Sequence, residues 1–370
     1  MAPKKKILHV YSSMTAGGAE KMMIELAAGL NGAGLENIIA GPKNSYIVRK
    51  AAEKGLKSYA LRINGSFDPL GIIGLRSIVR KEKVDIIHAH QGKVFWPCVF
   101  MKIFVNPGLK LVFHRHAQLP HSFYSRGHYN FADKVIAISQ AVAKGLIERE
   151  KVPQSKVVVV YNGIDLNRFN VRVSGEKIRK EYGLGNRVVI GTAAAMNRPK
   201  GKGQKHLIEA AKNLKVRYPD LRYIIAGSGE IKGELEDAAG TLGVSDIVIF
   251  SGYRENIEEY IAAMDIFCLL SWDTEGLGQV MMEAQAMGKA VIGTKIGGVP
   301  ETFINGRTGI LIPPENTDEL SKAIEYLTAD RGRLAGFGKE ASEYASRNFG
   351  INKMVDSMAG IYESMWRSDG

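Results

Sequence analysis

The amino-acid sequence predicts an α/β protein with two domains, each built around a parallel sheet. Three observations support this prediction. The chain of 370 residues is long for one hydrophobic core, apolar strand-like runs alternate with helical patterns, and this alternation occurs twice. Because strand–helix–strand units form parallel sheets whose ligands bind beyond the carboxyl ends of the strands, we expect the two sheets to face each other across a cleft.

The first domain is predicted over residues 1–168. Apolar runs of strand length alternate there with segments whose apolar residues recur at helical spacing. The predicted strands are Lys6–Tyr11, Ile38–Ile39, Val84–His88, Leu111–Phe113 and Val135–Ile138, and the predicted helices are Ala19–Leu30, Pro69–Lys81 and Gln140–Glu150. A turn at 161–165 is followed by polar residues near 168–174, which places the domain boundary there.

The second domain is predicted over residues 169–350 and repeats the alternation. Its predicted strands are Val188–Gly191, Tyr223–Ala226, Ile247–Phe250, Ile266–Leu270, Ala290–Gly293 and Ile310–Ile312, and its predicted helices are Lys205–Lys215, Ile231–Leu242, Ile257–Met264, Gln279–Met287 and Thr317–Tyr326. The last segment, 351–370, has apolar residues at the spacing of an amphipathic helix. We expect this helix to pack back on the first domain.

The charge of the chain is unevenly distributed. Residues 1–168 contain 25 Lys and Arg against 11 Asp and Glu, whereas residues 169–370 contain 25 against 27, so the whole net charge of +12 arises in the first domain. Such asymmetry indicates an anionic partner, which could be a phospholipid surface, a phosphorylated acceptor or nucleic acid. The other interpretation is charge spread over the domain for solubility.

Cysteine usage and the N-terminus indicate a cytoplasmic protein. Cys98 and Cys268 both lie in apolar runs, which favours buried free thiols over a disulfide. The first residues lack the apolar segment and cleavage site of a signal peptide, and no run of about 18 apolar residues occurs. We therefore expect any membrane contact to be peripheral, on the inner face of the membrane.

The turn Asp273–Gly278 is the most informative motif. It follows the predicted strand Ile266–Leu270 and precedes a helical pattern that begins at Val280. Backbone N–H groups and the positive end of a helix dipole attract anions at such a junction, and glycine lets a ligand approach the backbone closely. Glu275 lies in the turn, while Glu283 lies one turn into the helix and could accept hydrogen bonds from a ribose diol. This arrangement suits a sugar nucleotide.

Three further motifs could meet phosphate groups. Lys202-Gly203 opens a helix after a predicted strand, which places an ammonium group and backbone amides where a diphosphate would need them. Gly17-Gly18 follows the first strand and could face phosphates or form a ligand-free tight turn. Gly227-Ser228-Gly229 is a weaker indication, because it lacks the third glycine and the partner acid of a dinucleotide site.

The histidines and aspartates predict no metal site. His88 and His90 favour a structural role, and no cluster of histidines and cysteines has the spacing of a zinc site. No Asp-x-Asp pair occurs that could hold a divalent cation on a diphosphate. We therefore expect no cofactor and no metal, with cationic side chains and helix amides in the place of a metal ion.

A series of motifs occurs in order along the chain. The segments are Gly17–Glu20, Asp85–His90, Phe113–His116, Ala132–Ser139, Tyr161–Asp165, Lys202-Gly203 with Leu207–Ala210, Ala226–Gly229, Ser251–Tyr253 and Glu275–Glu301. In these segments the chain resembles the retaining glycosyltransferases of family 4, which have the GT-B architecture of two Rossmann-like domains and include enzymes of the cell-envelope or lipopolysaccharide type.

The resemblance implies roles for the cationic residues. In the family an arginine usually stands five residues before the lysine that meets the diphosphate, and here that position is Asn197, with Arg198 beside it. An alternative alignment on Lys200-Gly201 would place Ala195 at the arginine position. Lys202 is the favoured lysine because the helix after it has the usual spacing, and Arg198 remains the candidate for its partner.

The resemblance also implies roles in sugar and nucleoside binding. It places Glu275 on hydroxyls of the donor sugar and Glu283 on the ribose, and it places His116 near the transferred sugar, although His114 would lie on the same strand face. The remaining donor-binding candidates are Gly17, Gly18, Gly227, Tyr253, Arg254, Gly276, Leu277 and Gly278. Tyr253 and Arg254 would lie beside the nucleobase.

The expected reaction is transfer of a sugar from a nucleotide diphosphate to an acceptor hydroxyl, with retention of the anomeric configuration and without a metal. Uridine is the commonest donor base in the family, and a lipid-linked or lipopolysaccharide glycan is the expected acceptor. The alternatives are a nucleotide-sugar epimerase or a glycan phosphorylase of the same architecture, and a dinucleotide dehydrogenase. A nucleic-acid partner is not expected, since the sequence contains no recognisable reader motif.

Overall fold

The computed structural model describes residues 4–14, 17–117, 123–198 and 201–367. The chain forms two compact units. The first comprises Met1–Gly163 and Ile351–Gly370, and the second comprises Ile164–Gly350. Residues 164–168, which the sequence analysis placed in the first domain, therefore lie in the second unit, and the C-terminal helix lies in the first.

The first unit contains a seven-stranded parallel sheet with the strand order β3-β2-β1-β4-β5-β6-β7. Its strands are β1 (Lys6–Val10), β2 (Glu36–Gly41), β3 (Lys57–Ala60), β4 (Ile86–Ala89), β5 (Lys110–Arg115), β6 (Lys134–Ala137) and β7 (Val157–Val159). Its helices are α1 (Gly18–Gly32), α2 (Tyr46–Glu53), α3 (Pro69–Glu82), α4 (Gly92–Phe104) and α5 (Gln140–Glu148).

The second unit contains a six-stranded parallel sheet. In chain order its helices and strands are α6 (Glu176–Glu181), β8 (Val189–Ala193), α7 (Gln204–Lys215), β9 (Arg222–Ala226), α8 (Lys232–Thr241), β10 (Val248–Gly252), α9 (Ile257–Ala263), β11 (Ile266–Leu269), α10 (Gln279–Ala286), β12 (Ala290–Thr294), β13 (Gly309–Ile312), α11 (Thr317–Thr328) and α12 (Arg331–Phe349). The strand order is β10-β9-β8-β11-β12-β13.

A final helix, α13 (Ile351–Arg367), returns to the first unit and completes its core. Its buried residues Met354, Met358 and Tyr362 pack in one apolar cluster with Ile7 and Ile86 of the two central strands. Burial of apolar side chains is the main favourable contribution to folding, so this helix stabilises the first unit.

Helix starts follow local capping chemistry. The side chain of Asp68 accepts hydrogen bonds from the backbone of Leu70 at 3.1 Å and of Gly71 at 3.2 Å, with Pro69 at the first helical position of α3. The hydroxyl of Ser139 accepts a hydrogen bond from the backbone of Val142 at 3.1 Å at the start of α5. Both helices begin at the residues that were predicted from the helical spacing of the sequence.

The predicted α/β fold with two parallel sheets is confirmed, and some elements of the first unit were missed. The edge strand β3 is largely exposed, so it shows no apolar run, and α4 is apolar over most of its length, so it shows no helical period. Both cysteines are buried free thiols, as expected. Among the described residues, no helix is long and apolar enough to span a membrane.

Each sheet has a topological switch point, where the strand order reverses. In the second unit it lies between β8 and β11, and in the first unit it lies between β1 and β4. Ligands of open parallel sheets bind at such points, beyond the carboxyl ends of the strands. The loops that leave these four strands are therefore the places where functional side chains are expected.

Candidate functional site

Lys202 and Glu275 meet at the switch point of the second unit. Lys202 lies in the loop after β8 and Glu275 in the loop after β11, and Lys202 Nζ lies 3.0 Å from Glu275 Oε2. Lys202 also donates to the carbonyl of Thr274 at 3.3 Å, and the Ser271 hydroxyl donates to Glu275 Oε2 at 2.9 Å. The structure thus brings together two predicted site residues that are 73 positions apart in the chain.

Close backbone approaches hold the two loops in place. Gly203 has a φ of +81°, and a Cβ atom there would lie 2.0 Å from the carbonyl oxygen of Leu270. Gly297 has a φ of +52°, and a Cβ atom there would lie 1.9 Å from the carbonyl oxygen of Glu275. That oxygen accepts a hydrogen bond from the backbone of Gly298 at 3.0 Å. Only glycine fits these two positions, so the geometry of the Lys202–Glu275 pair depends on them.

The turn after Glu275 leads directly into α10. Gly278 is the N-cap residue of this helix, and no side chain caps its first turn. Leu277 is buried beneath the turn, whereas Gly276 is half-buried. The turn therefore lies at the positive end of the helix dipole, where an anion is stabilised.

Arg198 and Lys202 line one cavity of about 200 Å³, together with Ser271 and Asp273. Arg198 does not contact Glu275. Its guanidinium donates to Glu234 Oε1 at 2.6 Å, in a pair in which both side chains are more than half exposed. An exposed ion pair contributes little to stability, so little free energy opposes its exchange for a ligand phosphate. Lys200, the alternative lysine, lies outside the described residues.

Glu283 lies one turn into α10, as predicted. Its Oε1 accepts a hydrogen bond from the Gln279 side chain at 3.2 Å, and its side chain is half-buried. Its negative charge acts on Arg168, whose guanidinium pairs with Glu258 at 2.7 Å. Glu283 is therefore held on the same helix whose N-terminus faces the turn.

The remaining donor-binding candidates of the second unit lie after β9 and β10. The backbone N–H of Gly227 donates to the carbonyl of Gly252 at 2.8 Å. Tyr253 is exposed, with 61% of its surface accessible, and the guanidinium of Arg254 lies 5.2 Å from the ring centroid of Tyr260. Tyr260 is buried, so the exposed ring of Tyr253 is the surface on which a nucleobase could stack.

Gly17 and Gly18 lie at the N-terminus of α1 in the first unit. The backbone N–H of Gly17 donates to Glu20 Oε2 at 3.0 Å, and Gly18 is the first residue of the helix. The carboxylate of Glu20 therefore already occupies an amide that the sequence analysis offered to a phosphate.

The switch point of the first unit carries a cluster that the sequence analysis did not predict. Five histidines from β1, β4, β5 and the residues that follow them lie in mutual contact: His9, His88, His90, His114 and His116. The pairs two residues apart were visible in the sequence, but His9 and its partner Asn37 were missed. The contacts of His9 follow from the register of β1 and β4, which places His9 opposite His88 on adjacent strands. This register is not visible in the sequence.

Burial keeps these imidazoles neutral. It lowers the pKa of His9 to about 4, although the hydrogen bond to Asn37 acts in the opposite direction. Burial, with a smaller contribution from the charge of Arg115, lowers the pKa of His116 to about 3. The pKa of His90 is also held well below 6.5, mainly by burial.

We expect the first unit to lose stability as the pH falls below 6.5. The unfolded chain binds protons with ordinary histidine pKa values, whereas folded His9 has a pKa of about 4. Its stabilising contribution is therefore present above pH 6.5 and is lost as the pH falls to 4, and at pH 5 the free energy of unfolding drops by roughly 2 kcal/mol for this residue alone.

Urea unfolding at pH 7.5 and pH 5 measures this loss. In a Trp272→Phe background both remaining tryptophans, Trp96 and Trp366, lie in the first unit and report its unfolding. A His9→Gln variant should show a smaller difference between the two pH values. An unchanged difference would show that His9 does not contribute to the acid sensitivity.

Two family models match the chain over adjacent segments. Residues 16–168 match the family described as Glycosyltransferase Family 4, and residues 175–344 match Glycosyl transferases group 1. The first match lies almost entirely in the first unit, and the second lies in the second unit. Between them the two matches span both sheets.

Curated relatives are similar in sequence to this protein over part or most of its length. A GDP-mannose-dependent alpha-(1-6)-phosphatidylinositol monomannoside mannosyltransferase of Mycolicibacterium smegmatis is 33% identical over 50% of this chain and 51% of its own length. The lipopolysaccharide core biosynthesis mannosyltransferase LpsB of Rhizobium meliloti is 27% identical over 76% of this chain and 79% of its own. The chain therefore matches about half the length of the first relative and most of the second.

Solved structures match the whole fold. A glycosyltransferase of Rickettsia africae superimposes with a TM-score of 0.89 at 26% identity, over 98% of this chain and 99% of that one. HepE of Anabaena, solved in complex with UDP and glucose, superimposes with a TM-score of 0.85 at 25% identity, over 97% and 100%. Taken with the two family matches and the paired sheets, these likenesses show that the chain belongs to the glycosyltransferases of the family 4 type, with the GT-B fold.

Proposed function

We propose that the protein transfers a sugar from a nucleotide diphosphate donor to an acceptor hydroxyl, with retention of the anomeric configuration and without a metal on the diphosphate. The observation that carries this proposal is the Lys202–Glu275 pair at the switch point of the second unit, 3.0 Å apart and next to the N-terminus of α10. A cation, an acid and the positive end of a helix dipole at one point match the charge pattern of a sugar diphosphate.

Glu275 is suited to orient the donor sugar. Lys202 and Ser271 both donate to its Oε2, which fixes the carboxylate, and no described residue donates to Oε1. Oε1 can therefore accept hydrogen bonds from sugar hydroxyls. We propose that His116 also contacts the transferred sugar, which the family resemblance supports.

In the reaction the bond between the anomeric carbon and the β-phosphate oxygen breaks, and the acceptor oxygen bonds to the anomeric carbon on the same face. The departing phosphate takes the acceptor's proton. Lys202 stabilises the charge that grows on the diphosphate, with Arg198 and the amides of the 276–278 turn contributing. No Asp-x-Asp pair occurs in the sequence, which supports the proposal that protein cations do this work.

We propose a UDP-sugar as the donor. HepE was solved with UDP and glucose, whereas the Mycolicibacterium relative is GDP-mannose-dependent, so the base is the property to test first. A thermal-shift panel of UDP- and GDP-sugars at equal concentration would identify the donor, because a specific ligand raises the apparent stability by mass action. A response to GDP-mannose alone would overturn the choice of uridine, and a response to no nucleotide sugar would overturn the proposed function.

A Glu283→Ala variant is expected to lose donor affinity rather than turnover. The carboxylate is proposed to accept hydrogen bonds from the ribose, and the loss of one hydrogen bond to a charged group costs about 1.5–3 kcal/mol. We therefore expect the dissociation constant of the nucleotide, measured by calorimetry, to rise by a factor of about 10 to 100. Glu236→Ala, at an exposed position on α8, is the matched control. Equal affinities for the two variants would contradict the ribose assignment.

We propose that the acceptor is a lipid-linked glycan reached at an anionic bilayer surface. An apolar strip formed by α3, by Phe67 just before it and by α4 supports this: Phe67 is 72% exposed, Leu70 81% and Phe104 75%. The ring of Phe100 lies 5.9 Å from that of Phe67 and 6.2 Å from that of Phe104, so the aromatic residues are contiguous. An exposed apolar strip marks an interaction surface.

Charge complementarity favours a bilayer as the occupant of this strip. Arg76 and Arg80 are exposed on α3, three and seven residues after Ile73, so they lie on the same helix face as this exposed apolar residue. Basic residues around an apolar surface bind anionic lipid headgroups. The Mycolicibacterium relative is named for a phosphatidylinositol mannoside acceptor, which agrees with a lipid-borne substrate.

Co-sedimentation with vesicles tests this proposal. We expect the protein to bind vesicles that contain phosphatidylglycerol, and a Phe67→Ser/Leu70→Ser double variant to bind at least fivefold less. Val216→Ser removes an equally exposed apolar side chain from the second unit and is the control. Binding that depends on neither anionic lipid nor the strip would rule out the bilayer.

A further inference from the structure

A chain of hydrogen bonds runs from Asn37 to His116 through two other histidines. His9 Nε2 lies 2.9 Å from Asn37 Oδ1, and His9 Nδ1 lies 3.0 Å from His90 Nε2. His90 Nδ1 in turn lies 3.4 Å from His116 Nε2. His9 and His90 thus use both of their ring nitrogens in this series of hydrogen bonds. We call the series Asn37, His9, His90 and His116 the imidazole relay.

The orientation of Asn37 sets the direction of the imidazole relay. Its Nδ2 donates to the carbonyl of Leu35 at 3.3 Å, so the amide oxygen faces His9. An amide oxygen only accepts, so His9 must donate from Nε2. A neutral imidazole has one N–H, and therefore His9 Nδ1 accepts from His90.

The tautomers of His90 and His116 are fixed in the same way. His90 donates from Nε2, so its Nδ1 accepts, and His116 must donate to it from Nε2. His116 Nδ1 is then a bare acceptor. This atom is excluded from solvent and has no hydrogen-bond partner among the described residues.

An unpaired buried acceptor is costly, which indicates that a ligand supplies the missing donor. We propose that Asn37, through His9 and His90, is a positioning residue that fixes the proton of His116 on Nε2 and presents Nδ1 as an acceptor for a hydroxyl of the transferred sugar. This inference rests on the proposed function, in which His116 contacts that sugar. Fixing one tautomer removes the need to reorganise the ring when the sugar binds.

A metal ion is the competing explanation of the cluster. Ring nitrogens of His90, His114 and His116 lie within 4.8 Å of one another, as do those of His9, His88 and His90. Imidazole binds a metal through a lone pair in the plane of its ring, yet the rings of His114 and His116 stack face to face, 4.2 Å apart with an interplanar angle of 16°. Stacked rings do not direct their lone pairs at one ion, so hydrogen bonding explains the geometry better.

Nitrogen NMR of the full chain labelled with ¹⁵N-histidine reads the tautomer directly. In the unaltered protein at pH 7.5 we expect one His116 tautomer, protonated on Nε2 and bare on Nδ1. The Asn37→Leu variant lacks the side-chain oxygen that accepts from His9. In this variant we expect the ¹⁵N chemical shifts of both His116 ring nitrogens to move towards values averaged over the two tautomers. Tyr362→Phe is the control, because Tyr362 contacts His88 at 2.6 Å and lies outside the relay.

Kinetics supply a second measurement. We expect Asn37→Leu to lower kcat about tenfold while the donor KM changes less than twofold, because a residue that acts through His116 affects the transition state more than ground-state binding. We expect Tyr362→Phe, the control, to leave kcat within about twofold. A proton on His116 Nδ1 in the unaltered protein would overturn the relay. A His116 tautomer that is the same in the Asn37→Leu variant as in the unaltered protein would also overturn it. If the protein bound one equivalent of added zinc, and the ¹⁵N chemical shifts of the His90 and His116 ring nitrogens changed on binding, the relay would be overturned in favour of a metal site.

The two proposals fail in different ways. A fixed His116 tautomer in a protein that turns over no nucleotide sugar would overturn the proposed function and leave the relay in place. An active transferase whose His116 carries its proton on Nδ1 would overturn the relay alone.

Discussion

Replacing Lys202 by alanine is expected to lower kcat by a factor of about 100 to 1,000, which corresponds to roughly 3–4 kcal/mol of transition-state stabilisation. The ammonium group lies 3.0 Å from Glu275, at the point where the diphosphate is proposed to depart. Its charge acts mainly on charge that develops during the reaction, so turnover falls more than donor affinity. Glu275 keeps its hydrogen bond from Ser271 at 2.9 Å in this variant, so the carboxylate stays in place.

Steady-state kinetics and nucleotide calorimetry check this expectation together. Lys205→Ala is the matched control, because it removes an exposed lysine from the same helix start, where Lys205 forms an ion pair with Glu209 at 3.8 Å. We expect the control to retain kcat within about twofold, as for a surface ion pair. A Lys202→Ala enzyme with near-normal turnover, or strict dependence of the unaltered enzyme on manganese, would refute the assignment of Lys202.

Replacing Gly297 by alanine is expected to destabilise the second unit by about 4 kcal/mol or more, among the largest effects of a single methyl group. The added Cβ would lie 1.9 Å from the carbonyl oxygen of Glu275, so the backbone of the turn would have to move. That movement would break the hydrogen bond from Gly298 and displace Glu275 from Lys202. Activity is therefore expected to fall together with stability.

Gly306 provides the control for this substitution. Its φ of +78° also lies in the left-handed region, but a Cβ atom there meets nothing within 4 Å. Gly306→Ala therefore incurs only the backbone penalty of about 1–2 kcal/mol. Thermal and urea unfolding of the two variants separate backbone strain from the clash. Equal losses of stability would show that the approach to Glu275 does not constrain the turn.

Much of the fold was readable from local patterns. All six strands of the second unit were predicted close to their observed positions, because each contains a short apolar run between turns. Lys202 and Glu275 were both site candidates from the sequence, because each follows a strand of one parallel sheet, but their contact was not predicted. The first unit was harder, because the exposed β3 and the almost wholly apolar α4 lack the periodicity that identifies an element.

The side-chain partners could not be read from local patterns. The pairing of Arg198 with Glu234 depends on how α8 packs beside the loop after β8, which no motif encodes. The imidazole relay depends on strand register and on the rotamer of Asn37, and both are set by long-range packing. Sequence spacing predicts which residues share an edge of a sheet, whereas tertiary structure decides which atoms meet.

The return of α13 to the first unit has a consequence for biosynthesis. Residues 164–350 form a contiguous compact unit, whereas the first unit needs α13 from the far end of the chain. On a ribosome the second unit can fold as soon as it emerges, while the earlier segment waits with an incomplete core. Tyr362, which contacts His88 at 2.6 Å, is synthesised after the whole second unit, so this contact with the histidine cluster forms only after residues 164–350 have been translated.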